Sequence, residues 1–530
     1  MCFRNSSEAA APSGHHPHDG ATGSPTLEYN FAHQLPELTA PYEPATPLPG
    51  ARILVLNEPL AAELGLNADW LGSPAGVQFL LGRGTDSEAR PVAQFYTGHQ
   101  FGSFNPQMGD GRAVLLGERR TPDTKKLLDL HVKGAGTTAY SRPGSDGKAP
   151  LTAALREFLL SEFMHAVGVP TARSLAVLTT GEQVRRHRTE PAAAIVRVAT
   201  SHLRVGTFQA ARMRDPENAS GLLRRVADMA IQRHFPELAD LSAPERYLEL
   251  YRHVAAPQAR LIAQWMRLGF VHGVMNTDNT AIGGFTLDYG PAAFLDRFDP
   301  QAVFSSIDAH GRYAFGNQPA IGGWNLARLA EAMLPLLTPA PGMDSAEANR
   351  SAVAAAQDVL DEYSAIYRHA LDAEFADALG LDAQQPSHQH VLSEFQVLAE
   401  EHQLDVAQVL RQLTDTDANP AGLGSQAWHD TWSANGALGD NRAALRDLSH
   451  WREQWSGAQP DRELMARINP VYYPRNAHVE EALAAALGGD YAPFEQLWDA
   501  LRAPFTRRVV LERWEKPTPS PTGFRTVCGT

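Results

Sequence analysis

The chain has 530 residues, 43% hydrophobic, and 46 Lys and Arg against 60 Asp and Glu, a formal net charge of −14. That length exceeds one ordinary core and predicts two lobes with an extension, while the acidic balance opposes nonspecific binding to nucleic acid or an anionic membrane and leaves any anionic ligand to a local basic site. Neither a run of 18 apolar residues nor a basic start followed by an apolar stretch is found, and the only cysteines are Cys2 and Cys528, so a membrane span, a secretory signal, a disulfide framework and a thiolate metal cluster are not expected, and a cytoplasmic protein is.

Residues 1–26 are rich in Ser, Gly, His, Pro and Ala and read as a disordered tail, the His-His-Pro-His run at His15–His18 included. No fixed-period repeat follows. Residues 27–208 predict an N-terminal region and a β-rich small lobe that binds nucleotide. Its strands are expected at Ile53–Leu56, Arg112–Gly117, Leu128–Val132, Ser174–Thr179 and Ala194–Ala199, each bounded by Gly, Pro or Asp. One helix interrupts them over Leu151–Val167, where Leu151, Leu155, Phe158 and Phe163 recur at helical spacing before Gly168 and Pro170. Residues 209–340 predict a helical large lobe with the catalytic and metal loops, including a short strand pair at Thr280–Ile282 and Phe285–Leu287. Residues 341–530 predict a helical C-terminal extension broken at Asn419–Gly424 and Asn469–Pro470. A small β-rich lobe before a large helical one is the order of protein kinases, so the predicted class is α+β, a protein-kinase-like two-lobed fold with a helical extension.

Two glycine-rich stretches, Gly98–Gly102 and Met108–Arg112, lead into the strand at Ala113. Gly109 and Gly111 let backbone amides approach phosphate, and Arg112 adds a planar charged fork; a plain hairpin turn has the same composition. In Leu128–Lys133 the apolar Leu128, Leu130 and Val132 alternate with Asp129, His131 and Lys133, which puts Lys133 on the polar face at a strand end. Kinases place a phosphate-holding lysine there, paired with a glutamate of the next helix. Glu157 and Glu162 are available, and Glu157, in the second turn, is the better placed. Arg197, between Val196 and Val198, points away from their face, and Arg204 follows; both could equally pair with acids.

The segment from His272-Gly273 through Asn276-Thr277-Asp278-Asn279 is followed, nine residues after Asn279, by Asp288-Tyr289-Gly290. Kinase-like phosphotransferases use His-Gly-Asp or His-Arg-Asp, an Asn five residues later and then Asp-Phe-Gly, with that Asn and the second Asp holding Mg2+. Asn279 and Asp288 fall at the metal positions, and oxygen ligands suit a hard cation that keeps water and phosphate in its shell. The slot of the kinase catalytic aspartate holds Val274.

On these residues the chain resembles the selenoprotein O family, also described as pseudokinases. The likeness rests on Gly98–Arg112, Lys133–Gly136, Ser141-Arg142, Arg156–Leu159, Arg197, Arg204 and Asn276–Pro291. It runs over roughly residues 28–530, with Asn469–Asn476 and Gly488–Phe505 matching the family's C-terminal part. Cys528 stands where selenocysteine-containing members carry that residue. The resemblance implies a protein adenylyltransferase that binds ATP in reversed orientation with Mg2+ or Mn2+ and transfers AMP to Ser, Thr or Tyr hydroxyls of proteins, itself among the candidate acceptors. It implies Asp278 as catalytic base, Asn279 and Asp288 as metal ligands, and Gly109, Gly111, Arg112, Lys133, Asp146, Gly147, Arg197, Arg204 and Asp288 around the nucleotide, with Glu157 orienting Lys133. The likeness departs at an extra residue in Pro143–Gly147 and at Lys148, where arginine is usual. Two other readings stay open: a phosphotransferase using ATP in the ordinary orientation, and a nucleotide-binding scaffold without turnover.

Overall fold

A computed structural model describes residues 24–44, 48–83, 91–186, 188–243, 245–338, 345–415, 442–518 and 520–527. The expected tail up to residue 23, the break at Asn419–Gly424 and Cys528 lie outside them. The architecture is α+β.

The strands in chain order are β1 (Thr39–Pro41), β2 (Arg52–Leu56), β3 (Val92–Gln94), β4 (Gly98–Gln100), β5 (Ser103–Asn105), β6 (Ala113–Arg120), β7 (Leu127–Lys133), β8 (Ala149–Pro150), β9 (Arg173–Arg185), β10 (Thr189–Ala199), β11 (Phe270–Val271) and β12 (Ala293–Phe294). Eight of them form one sheet in the order β1-β3-β6-β7-β10-β9-β2, with β8 against β10. Its central pairs are antiparallel, and the register sets Arg197 opposite His131 and Ile195 opposite Lys133. The alternation read along β7 holds across this register. Leu128, Leu130, Val132, Val196 and Val198 share one core, while Asp129, His131, Lys133 and Arg197 face the other way, where they too are buried.

The apolar face is covered by three short helices, Glu58–Glu63, Ala68–Leu71 and Pro74–Leu80, contributing Leu60, Leu71, Phe79 and Leu80 to that core. They correct the expectation of a single helix among the strands. Each is started by a side-chain cap, Asn57 accepting from Leu60 N, Asn67 from Trp70 N and Ser73 from Gly76 N, a contact worth about 1 kcal/mol.

The helix Leu151–Ala166 crosses behind the polar face of the sheet. Leu151, Leu155, Phe158 and Phe163 are buried as their spacing predicted, but so are Leu159, Leu160 and Met164. The reason is that helices Asn476–Leu487 and Ala492–Arg502 of the C-terminal region close over its far side, with Phe494 and Leu497 joining the same core. Helices Val205–Arg214, Leu222–His234, Glu245–Leu268, Gln318–Leu337 and Ser345–Leu379 pack around a separate core. The strand pair expected at 280–287 shrinks to one bridge between Thr280 and Thr286; the pairing instead involves β11 and β12, which bracket the segment carrying Asp278 and Asp288. No helix among the described residues is long and apolar enough to cross a membrane.

Candidate active site

Four elements, β7, β10, the helix Leu151–Ala166 and the loop of Asp288, converge on one buried ionic cluster. Lys133 at the end of β7 donates to Glu157 Oε2 on the helix Leu151–Ala166 at 2.8 Å and to Asp288 Oδ1 at 3.1 Å. Arg197 on β10 donates through Nε to the other oxygen of Glu157, and its guanidinium lies 3.1 Å from Asp288 Oδ1. Two cations thus meet two carboxylates. Burial alone would raise the proton affinity of Asp288, but Lys133 and Arg197 outweigh it and hold the carboxyl well below its ordinary range. Glu157 is lowered in the same way, Arg197 and Lys133 overcoming its desolvation. Glu162 is engaged elsewhere, with Arg173 and Asn57, so the choice of Glu157 as the partner of Lys133 holds.

The loop carrying Asp278 is roofed by the β4–β5 hairpin. Thr277 Oγ1 accepts from His99 N at 2.7 Å and donates to Gln209 Oε1 at 2.8 Å, while Asn276 Oδ1 accepts from Phe101 N at 3.1 Å and from Tyr313 Oη at 2.5 Å. Gly98 backs directly onto the Asp278 carboxylate, and Gly206 onto its backbone. Asp278 itself is buried, and its Oδ1 has no hydrogen-bond partner. Burial pushes its carboxyl up to about 6 against the pull of Arg204. His272 is a packing residue: it is buried against Trp265 and accepts from Val274 N at 3.3 Å.

Arg204 ties the two halves of the site together. It donates to the Asp278 carbonyl at 3.1 Å, lies over the Tyr96 ring at 4.2 Å and reaches to 3.9 Å from Asp110 Oδ1. Asp110, inside the glycine-rich stretch, is bonded in turn to His131 Nε2 at 3.0 Å and to Gln94 N at 3.1 Å. Gly109 and Gly111 stand against Tyr140, and at Gly109 a φ of +144° together with the Tyr140 ring leaves no room for a side chain. Arg112 is joined to the end of β7 through its carbonyl, which accepts from Gly134 N at 2.7 Å.

Gly147 lies against the backbone of Gly136, with a φ of +67°. The Asp146 carboxylate, however, is forked by Arg186 at 2.8 and 2.9 Å and capped by Lys148 N, and it pairs with none of Lys133, Arg197 or Arg204. Arg186 and Lys148 hold its pKa down at about 2. In this arrangement it acts as a brace for the loop. The residues not foreseen from sequence are Asp110, Tyr96, Asn276, Thr277, Gln209 and Tyr313; Asp110, Asn276 and Thr277 fell within the stretches singled out, but nothing local marks the other three.

The donor set fits a hard divalent cation. Asn279 donates through Nδ2 to the Val274 carbonyl at 3.0 Å, which leaves its amide oxygen as the free acceptor end, and Asp288 offers an ionised carboxylate. Two oxygen donors, completed by water and phosphate, suit Mg2+ or Mn2+.

Comparison with known proteins returns one family over nearly the whole chain, described as "Protein adenylyltransferase SelO", matching residues 26–502. The chain is 46% identical over 523 residues to a "Protein nucleotidyltransferase YdiU" of Corynebacterium efficiens, covering 97% of this chain and 98% of the relative. It is 48% identical over 513 residues to the protein of that name from Pseudarthrobacter chlorophenolicus, covering 96% and 99%, and 45% identical over 513 residues to the one from Mycolicibacterium smegmatis, covering 95% and 98%.

Proposed function

The chain belongs to the SelO family of protein adenylyltransferases, and from that premise we propose that Asp278 is the base that activates a protein hydroxyl for attack on the α-phosphorus of ATP. The observation that carries this is the Asp278 carboxylate: buried, with Oδ1 unpartnered, raised in proton affinity by its surroundings and backed by Gly98. A group held that way is poised to accept a proton.

In the proposed reaction the acceptor oxygen of a Ser, Thr or Tyr forms a bond to the α-phosphorus and the bond to the β-phosphate oxygen breaks. Pyrophosphate leaves, and the hydroxyl proton passes to Asp278. Lys133, Arg197 and Arg204 face the negative charge of the phosphates, with Glu157 fixing the first two. Asn279 and Asp288 would hold Mg2+ or Mn2+, which supplies further positive charge to the phosphate oxygens when bound. Gly109, Gly111 and Arg112 offer backbone amides and a guanidinium to the nucleotide, and Gly147 supports the adjoining loop; for Asp146 the proposed part is bracing, through Arg186. The concentration of arginine on the sheet side, Arg112, Arg197 and Arg204, supports a nucleotide whose terminal phosphates lie toward the sheet, the reversed orientation.

The same reading takes the fold as protein-kinase-like. Residues 27–208 form its small lobe, 209–340 its large lobe and 341–530 an extension, supported by the Lys133–Glu157 pair and the two oxygen-donor loops. It also takes the cytoplasm as the site of action and proteins, this one included, as acceptors. Incubation with ATP labelled on the α or the γ phosphate tests it: label should pass to protein from the α position only, and Asp288→Ala should lose both metal-dependent ATP binding, read calorimetrically, and transfer. Transfer from the γ position would overturn the reading.

A further inference from the structure

Beside the roofed loop lies an open groove of about 710 Å³ between the tip of the β4–β5 hairpin and the segment Ile307–Ile321. One wall is Phe101, 37% exposed, and the other includes Ile307, 48% exposed; Phe104 on the same hairpin is 46% exposed. Scattered exposed apolar residues need no explanation, but two of this size facing each other across one concavity, Phe101 and Ile307, do. Phe101 is also held at a φ of +51°, a left-handed conformation that a bulky residue rarely adopts. It is kept there by Asn276 Oδ1 and Tyr313 Oη, both accepting from its backbone N–H, at 3.1 and 3.0 Å, and by packing of its ring on Tyr313. The groove wall is therefore pinned to the loop that carries Asp278.

The groove lining carries one arginine, Arg312, and one carboxylate, Asp308. Arg312 lies across the Trp324 ring at 4.7 Å and against the turn at Gly102, where φ is +87° and no side chain intervenes. Among the described residues it has no carboxylate partner, and its Nε is buried without an acceptor. The Asp308 carboxylate is taken up by the backbone N–H groups of Arg312 and Tyr313. Arg312 is thus a groove cation with no carboxylate partner among the described residues, in a chain of net charge −14, one short hairpin from the proposed base.

We propose that this groove is where the acceptor protein docks. It takes an extended segment whose hydroxyl residue reaches Asp278 while a neighbouring apolar side chain packs on Phe101 and Ile307 and an acidic side chain meets Arg312. This rests on the assignment of Asp278 as the base and adds the chemistry of the segment that base acts on. Burying an apolar side chain supplies affinity, and the unpaired arginine supplies selection against basic segments.

The test uses the full chain, ATP labelled on the α phosphate, and synthetic peptide mixtures in which one Ser, Thr or Tyr is flanked by degenerate apolar-acidic, apolar-basic or polar-neutral positions. The wild-type protein should label the apolar-acidic mixture at least about tenfold more than the other two, the order of one lost contact of this kind. Arg312→Glu should shift the preference to the apolar-basic mixture, and Ile307→Ser should raise the peptide KM about tenfold with the KM for ATP unchanged. Even labelling of all three mixtures, or the same preference in Arg312→Glu, overturns the docking proposal and leaves the assignment of Asp278 standing. Failure to label any mixture by protein that does label lysate proteins also overturns it. Labelling that persists in Asp278→Ala overturns the assignment of the base and the docking argument with it.

Discussion

Gly98 lies against the carboxylate of Asp278 so closely that a methyl group on its Cα would stand 2.8 Å from Oδ1. The hairpin that carries it, β4–β5, is thereby a mould for one rotamer of Asp278, whose backbone in turn rests against Gly206. Gly98→Ala should displace the carboxylate by a few tenths of an ångström or more while the sheet and the ionic cluster remain as they are. Overpacking of this kind costs about 1–3 kcal/mol, so transfer should fall by roughly ten- to a hundredfold with the Kd for ATP little changed. Full activity in Gly98→Ala would show that the position of Asp278 does not matter.

Glu157 bridges Lys133 and Arg197 from the helix side, and Asp288 bridges the same two cations from the loop side. Glu157→Gln leaves two buried cations to one carboxylate, and removing one partner of a buried ionic group costs about 3–5 kcal/mol. Urea unfolding should show that loss. A loss below about 1 kcal/mol would mean that the cluster is screened as a surface ion pair is.

Stability should fall as the solution is acidified below pH 6.5. Burial depresses His234, His272 and His478 to about 4 in the folded protein, against an ordinary value near 6.5 in the unfolded chain. Between those values the unfolded state binds more protons, so the stability held above pH 6.5 is lost as pH falls toward 4. Glu118 and Asp278, which burial raises to about 7 and about 6, work in the opposite sense. His234→Gln isolates one contribution: its unfolding free energy should change less steeply over this range, by about 1.4 kcal/mol per pH unit where one proton is at stake. A slope identical to wild type would show that His234 is protonated in the folded protein.

The ionic cluster was legible because strand alternation determines it. Arg197 between Val196 and Val198, and Lys133 after Leu130 and Val132, must share the face opposite the apolar core once β7 and β10 pair, and Glu157 sits at the turn of the helix that meets them. The mould around Asp278 was not legible, since Gly98 and Gly206 are distant in the chain, and their closeness to its carboxylate and its backbone arises only when the hairpin lies down on the loop. In the sequence Gly98 is marked only as the start of a glycine-rich stretch. The same limit applies to Asp110, whose partners His131 and Arg204 come from β7 and from the start of the helix Val205–Arg214. The three short helices at 58–80 are a different case: Asn57, Asn67 and Ser73 are cap residues, and Pro59 and Pro74 first-turn prolines, signals present in the sequence. The partner of Asp146 was not legible either. An acidic residue beside a glycine-rich loop invites a ligand role, yet Arg186, forty residues on, takes both its oxygens.

The most direct test of the account is the intact mass of an acceptor protein after incubation with Mg2+ and ATP, using wild-type chain and Asp278→Ala side by side, with ATP binding measured calorimetrically on both. The account predicts an increment of one adenylate from wild type and a rate lowered by ~10²–10⁴-fold in Asp278→Ala, the contribution of a general base, with ATP binding retained. A phosphate-sized increment, or undiminished transfer by Asp278→Ala, would contradict it.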